Sequence, residues 1–247
     1  MRNSGSSETA LQSVIHDCEE HLRPFGFTRT TRSTLWRQTP VKFDLLNFDL
    51  IPRSRQQKWH VPPGSFLIEP SCLFPSLPRL GGITNQILVP GKGFGQIRLS
   101  VWPRNLPVPA RSPNVWWVDL ATDAYTAAKA SVLSALVSTI VPFFAQFEDL
   151  SELIRTLQED EDAIGGEGVW DFGKKGSPRR LIYLGFAAIE SEQWELASSS
   201  FRECEKRLAS LADVVRALVE PNILPHLTLG MDLALRRQRW DFKLHVL

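Results

Sequence analysis

The residues best equipped for chemistry are scattered along the chain. His16-Asp-Cys-Glu-Glu-His21 is its densest run of metal-ligating types. On a helix, residues five apart stand about 140° round the axis, so His16 and His21 cannot share one ion. A zinc-protease helix needs its histidines at i and i+4. The run reads as a solvated helix face. Gly91, Gly93 and Gly95 make a Gly-x-Gly-x-Gly turn. A phosphate cradle needs a helix N-terminus after the glycines, whereas the strand-like 96–102 follows here, so the turn reads as a hairpin. No serine sits in a Gly-x-Ser-x-Gly elbow, and His60, His226 and His245 lie in no catalytic motif. Glu159-Asp-Glu-Asp162 offers four carboxylates in a row, but in a Gly-rich stretch such runs repel and stay solvated. No catalytic, cofactor-binding or metal residue is assigned, and no cofactor is expected. What remains is Trp102, Arg104, Trp116 and Trp117, in a chain with eight tryptophans. If Trp116-Trp117 is extended, its two rings point to opposite faces, one inward and one outward. An exposed Trp beside an Arg is the composition of a binding hot spot; a core contact is the competing reading.

The bulk numbers are those of a globular protein. Hydrophobic residues make up 43% and charged residues 22% of 247, with a net charge of +1, so no global charge drives nucleic-acid or membrane binding. The charge is nevertheless uneven. Residues 1–110 carry an excess of six positive charges and the remainder five negative. The basic excess sits between Arg23 and Lys58, and the acidic excess between Glu148 and Asp171. Cys18, Cys72 and Cys204 are too far apart for a CxxC metal site or a disulfide framework. The first ten residues, MRNSGSSETA, hold no apolar run, so no secretory leader is expected. The most apolar stretch, about fourteen residues from Val132 to Ala145, is too short to span a bilayer. A cytoplasmic location follows as the expectation.

These residues must be positioned by a recognisable order of elements. The spacing of Leu11, Val14, Ile15, Cys18 and Leu22 predicts a helix over 8–22, ended by Pro24 and Gly26. Strands follow near 27–37, 41–50, 65–69, 83–89 and 96–102, with a β-bulge at Leu45-Leu46 where the alternation slips and a polar turn over 52–58. No crossover helix separates them, so antiparallel pairing is expected. A helix over 123–141 places Ala128, Val132, Leu136 and Ile140 on one stripe and stops at Pro142. Asp149 with Glu152 caps a helix to about 158. The acidic, Gly-rich 161–178 reads as a linker. Ser177-Pro178 opens a helical remainder, with helices at about 179–190, 192–209, 211–220 and 223–237. The expected fold is α+β: an antiparallel sheet with flanking helices over 1–160, then an all-α segment over 179–247.

Two resemblances add to this. Leu22-Arg-Pro-Phe-Gly-Phe27, then Leu35-Trp-Arg37, the strand 43–50 ending before Ser54, Ile97-Arg-Leu-Ser-Val-Trp102 and Trp116-Trp-Val118 stand in an order that resembles the bacterial family called domain of unknown function 4304. The resemblance covers about 8–158 and departs from the pattern between Pro75 and Gly95. It implies an α+β fold and no particular chemistry. Leu184, Gly185, Trp194, Ala197, Phe201 and Cys204 resemble one tetratricopeptide-type helical hairpin, in which small residues let two helices approach and Trp194 and Phe201 fill the groove beside them.

The function these features favour is a non-enzymatic one, binding or regulating a protein partner, with an immunity-like role as one form of it. The alternatives are a hydrolase or transferase with a site built from loops, and nucleic-acid binding through the Arg23–Lys58 face.

Overall fold

In a computed structural model, residues 4–80, 95–103, 114–117, 124–163 and 165–238 are described. The expected strand over 83–89 lies outside them. The fold is α+β. Two compact units form: Met1–Leu73 with Pro90–Ala145 and Gly165–Val169, and Phe74–Val89 with Gln146–Ile164 and Trp170–Leu247. The acidic stretch 161–178 is thus shared between them, and the helix ahead of it belongs with the C-terminal helices.

The first unit opens with α1 (Ser4–Leu22). Its buried positions, Ala10, Leu11, Val14, Ile15, Cys18 and Leu22, recur at helical spacing and make one apolar stripe. A 3₁₀ turn over Arg23–Phe25 closes on Gly26, whose backbone is left-handed (φ 84°). Then come β1 (Thr28–Thr31), β2 (Thr34–Gln38), β3 (Phe43–Leu50), the short helix α2 (Arg53–Trp59), β4 (Phe66–Leu73), β5 (Ile97–Ser100) and β6 (Val115–Trp116). The ladders from β1 to β6 are antiparallel. β7 (Gly168–Trp170) adds to β5, so the main order is β1-β2-β3-β4-β5-β7. β5 meets Ser71 and Cys72 of β4, and β6 meets Phe66 and Leu67. Since β3 occupies the other side of β4 along its full length, β5 and β6 share one edge, in tandem.

Three expectations are corrected here. The register of β3 is unbroken on both sides, so no bulge sits at Leu45-Leu46. The alternation fails because residues 43–48 are buried on both faces. The irregularity lies instead between Arg29 and Thr31 on the edge strand. There Arg29 donates to the carbonyls of Thr31 (3.1 Å) and Arg32 (2.6 Å), which blunts an edge open to pairing. Residues 53–59, read as a turn, are α2.

The third correction concerns Pro142. α3 (Ala124–Ala135) runs into a π-helical turn, Leu136–Ile140, and on into α4 (Val141–Gln146). The wider turn shifts the hydrogen bonding, so that Val141 N–H reaches Leu136 O. Pro142, which has no N–H and is exposed, is thereby carried inside the helix. The run Tyr125–Gln146 has 22 residues and is long and apolar enough to cross a membrane by length and composition, with 44% of its apolar window buried. Ala128, Val132, Leu136 and Ile140 form its buried stripe as expected. It is tied to α1 by Lys129–Asp17 (2.6 Å) and by the Tyr125 hydroxyl donating to Ser13 (2.7 Å).

In the second unit α5 (Leu150–Glu159) starts at Asp149, whose carboxylate accepts from Ser151 N–H (2.8 Å). α6 (Pro178–Glu190) starts at Ser177 with Pro178 in its first turn. α6 and α7 (Trp194–Ser210) make a hairpin, and α8 (Asp213–Arg236) packs on both. The Phe201 ring is gripped between Gly185 and Gly230: a methyl group on either would lie 2.4 Å from it. Two helices expected at 211–220 and 223–237 are one, with Pro221 and Pro225 inside. Both prolines and Ala217 are exposed, so the carbonyls of Ala217 and Pro221, left without an N–H, face solvent rather than the core.

Candidate interaction face

Strand parity sorts the side chains of the sheet. On one face stand Leu35, Leu46, Phe48, Phe66, Ile68 and Cys72, all buried. Asp44 is on the same face and also fully buried. Lys42 Nζ donates to its Oδ1 and to Phe144 O (2.9 Å); Arg37 Nε donates to its Oδ2 (2.5 Å). The Cys72 thiol completes the cluster 3.4 Å from Oδ1. Burial, and then the Asp44 charge, push that thiol well above its ordinary range, so it stays protonated and donates. Two cations thus share one anion inside the unit, and the Phe144 carbonyl takes part of the excess.

The other face is different in kind. Its central residues, Phe43, Leu45, Asn47 and Ser71, are buried, and Thr34 donates to Asn47 (2.9 Å). Toward the start of β4 it becomes polar and half-buried. Asn47 pairs with Glu69 and Asp49 with Leu67, so Asp49 and Glu69 are diagonal neighbours on this face. Arg98 follows on β5, opposite Ser71. Val115 of β6 stands opposite Leu67, and with Ile51 and Val61 these pack against Trp59 of α2. Arg55 lies over the Trp59 ring, 5.7 Å from its centroid. The whole is a band of aromatic and charged groups at one end of the sheet.

Among the four residues singled out from the sequence, Trp116 is fully buried and stacks on Phe66 (centroids 6.3 Å apart). Trp117, of opposite parity, is half-buried. Trp102 is half-buried as well, continuing an alternation in which Ile97, Leu99 and Val101 are buried and Arg98 and Ser100 are not. Trp102 and Trp117 follow the ends of β5 and β6 and keep part of their surface in water, whereas Trp116 does not. Arg104 lies outside the described residues. Sequence reasoning missed Asp49, Glu69, Arg55 and Trp59. Asp49 and Glu69 are twenty residues apart, and only the β3–β4 register brings the carboxylates together; the nearest sequence sign was Arg55 and Trp59 at helical i, i+4 spacing.

Burial, followed by a hydrogen bond to Asp49 and its charge, pushes Glu69 up from about 4.5 to about 7, while Arg98 and Arg55 pull it down. In its protonated form, held up to about pH 7, Glu69 donates to the Asp49 carboxylate. The folded chain holds this proton more tightly than the unfolded chain. The stability it contributes is full below about pH 4.5 and is lost as pH rises to about 7. Glu69→Gln keeps a neutral donor at every pH. Its melting temperature should exceed the wild type's at pH 8 and match it near pH 4.5 in thermal melts. Equal melting at pH 8 would refute the shared proton.

The other sequence candidates are accounted for locally. His16 is exposed and 3.7 Å from Glu20; no group of three or more metal-ligating side chains occurs among the described residues. Gly95 lies against β4, where a methyl group would meet Cys72 O at 2.1 Å, and its N–H donates to Ser71 Oγ (3.0 Å); Gly91 and Gly93 lie outside the described residues. Asp162 accepts from the N–H groups of Asp171 (3.2 Å) and Gly173 (2.8 Å), which makes it a clasp. In the basic region, Arg29, Arg37 and Lys42 are taken up internally, while Arg23, Arg32 and, on α2, Arg53, Arg55 and Lys58 are exposed. No protein-family model, curated protein or solved structure matches the chain.

Proposed function

We propose that the chain is a non-enzymatic protein-binding or regulatory protein, immunity-like in one form, that meets its partner with the polar-aromatic band of its sheet. The observation that carries this reading is the half-buried set Trp59, Trp102 and Trp117 beside Arg55, Arg98, Asp49 and Glu69. Tryptophan and arginine that keep part of their surface in water, around a partly desolvated centre, are the composition of interface anchors. The resemblances to domain of unknown function 4304 and to a tetratricopeptide-type hairpin belong to the same proposal, as does a cytoplasmic setting, which three buried free thiols suit.

Affinity capture with the full chain tests it. A partner held by the wild type should be lost, about tenfold or more in affinity, on Arg55→Ala with Trp59→Ala. Retention by that variant at wild-type strength would remove the band from consideration. A second reading rests on Glu69: a carboxyl protonated near neutral pH beside a carboxylate is the pair that general acid–base catalysis uses. Hydrolytic activity in the wild type that Glu69→Gln abolishes would decide for this reading.

A further inference from the structure

α2 carries cations where a helix favours anions. Arg53 and Arg55 stand in its first turn, which holds no acidic residue. The unpaired N–H groups of that turn make it positive, so carboxylates suit it and cations do not. Arg53, Arg55 and Lys58 are all exposed, and the sequence holds no acidic residue between Asp49 and Glu69. Arg53 and Lys58 meet no carboxylate among the described residues. The exposed Arg207 and Arg236 of the second unit differ: each pairs with an acid one turn back on its own helix. A cation placed against the helix dipole and given no internal partner departs from the local rules of the fold, and such departures mark functional positions.

The helix is held by its other side. Gln56 donates to Ile51 O (2.7 Å), and Trp59 packs against Ile51 and Val61. Successive helical residues turn by about 100°, so Arg53, Ser54, Gln57, Lys58 and Arg55 fan over the side that faces water, within a helix about 10 Å long. Asp49 and Glu69 lie within electrostatic reach of Arg55, but they do not cancel the field: Arg53, Arg55, Lys58 and Arg98 are four cations against two carboxylates.

We propose that this fan selects the partner of the chain, and that the partner presents an acidic segment of polypeptide whose carboxylates meet Arg53, Arg55 and Lys58. The inference rests on reading the chain as a protein-binding protein and adds the chemistry of what it binds. Complementary charge speeds encounter and rejects partners of the wrong sign. Trp59, half-buried beneath Arg55, supplies apolar surface beside the charges. A nucleic acid fits less well, because the net charge is +1 and the fan spans one short helix rather than a track of phosphates.

Fluorescence anisotropy of the full chain with a labelled peptide of about ten residues, built from Asp, Glu and Leu, tests the proposal. The wild type should bind it, more weakly as salt shortens the reach of exposed charges, and should not bind the counterpart with Asn and Gln in place of the acids. Arg53→Glu with Lys58→Gln should weaken binding about tenfold or more. Its thermal melt should stay at or above the wild type's, because glutamate suits the first turn, so the lost binding is not lost structure. No binding of the acidic peptide, or equal binding by wild type and variant, overturns the proposal. So does tighter binding of an oligonucleotide of equal charge, which would assign the fan to nucleic acid. Affinity capture separates this inference from the broader reading: a partner lost on Arg55→Ala with Trp59→Ala but kept by Arg53→Glu with Lys58→Gln leaves the band as the interface and removes the acidic partner.

Discussion

Asp44→Asn should destabilise the protein by about 3–5 kcal/mol, read as a fall in the urea midpoint at unchanged slope. The side chain is fully buried and is the anion shared by Lys42 and Arg37. Making it neutral leaves the buried Lys42 ammonium with Phe144 O and the Phe144 ring, and takes from the half-buried Arg37 its carboxylate partner, while its contacts with Phe25 O and the Phe27 ring are among those that stay. Those contacts are weak beside the lost charge. The asymmetry of the cluster gives a control. Lys42→Met removes the surplus cation and leaves Asp44 paired with Arg37 and accepting from Cys72, so it should cost less than half as much. Combining Asp44→Leu with Lys42→Met should recover part of the loss, since a packed apolar pair can match a buried ion pair. A loss below about 1 kcal/mol for Asp44→Asn would mean that water reaches the cluster.

Arg180→Met should cost about 3 kcal/mol in the same measurement. Its guanidinium is buried at the end of α5. It donates to Leu157 O (2.6 Å), Thr156 O (3.0 Å), Asp160 O and Gly173 O (3.4 Å), and lies 4.8 Å from the centre of the Phe172 ring. The last carbonyls of a helix have no N–H partner within it; here the Asp160 N–H reaches Thr156 O (3.1 Å), and one side chain on a neighbouring helix answers Leu157 O and joins at Thr156 O. Arg180→Lys should rescue less than half the loss, because one ammonium cannot reach three carbonyls from a planar fork. Burial lowers the Arg180 pKa, and Glu161, Asp162 and Asp160 oppose it. The acidic run thus offsets part of the cost of burying the arginine's charge. Full rescue by lysine would show that charge alone, and not the fork, holds the helix end.

The sequence was most legible where one element declares itself. The stripe of α1, the Asp149 cap of α5 and the Ser177-Pro178 start of α6 all follow from local spacing and appear where expected. It was least legible where a residue's role depends on a partner far along the chain. In Val41-Lys-Phe-Asp-Leu45 the alternation puts Lys42 and Asp44 on the side that reads as solvent, yet they are among the most buried groups, because β3 is covered on both faces. Pro142 and Pro221 each read as a helix end, and Pro225 falls in the first turn of the helix expected over 223–237. Each is exposed within a helical run, where a missing hydrogen bond costs less than breaking the packing of the opposite side. The polar-aromatic band was half visible: the tryptophans stood out, but which of Trp116 and Trp117 faces inward depends on the β4–β6 register, and the Asp49–Glu69 pair depends on the β3–β4 register.

The tandem placement of β5 and β6 on one edge of β4 has a consequence for how the chain can change. The backbone leaves that lane after Ser100 and rejoins it at Val115. Whatever lies between begins and ends on the same track, so its length does not alter the register of any other strand. The lane is a splice point, at which peptide could be lengthened, shortened or exchanged over evolutionary time, or by a protein engineer, without renumbering the sheet. The tryptophans at its two ends, Trp102 and Trp117, would remain in place as the insert between them diversified.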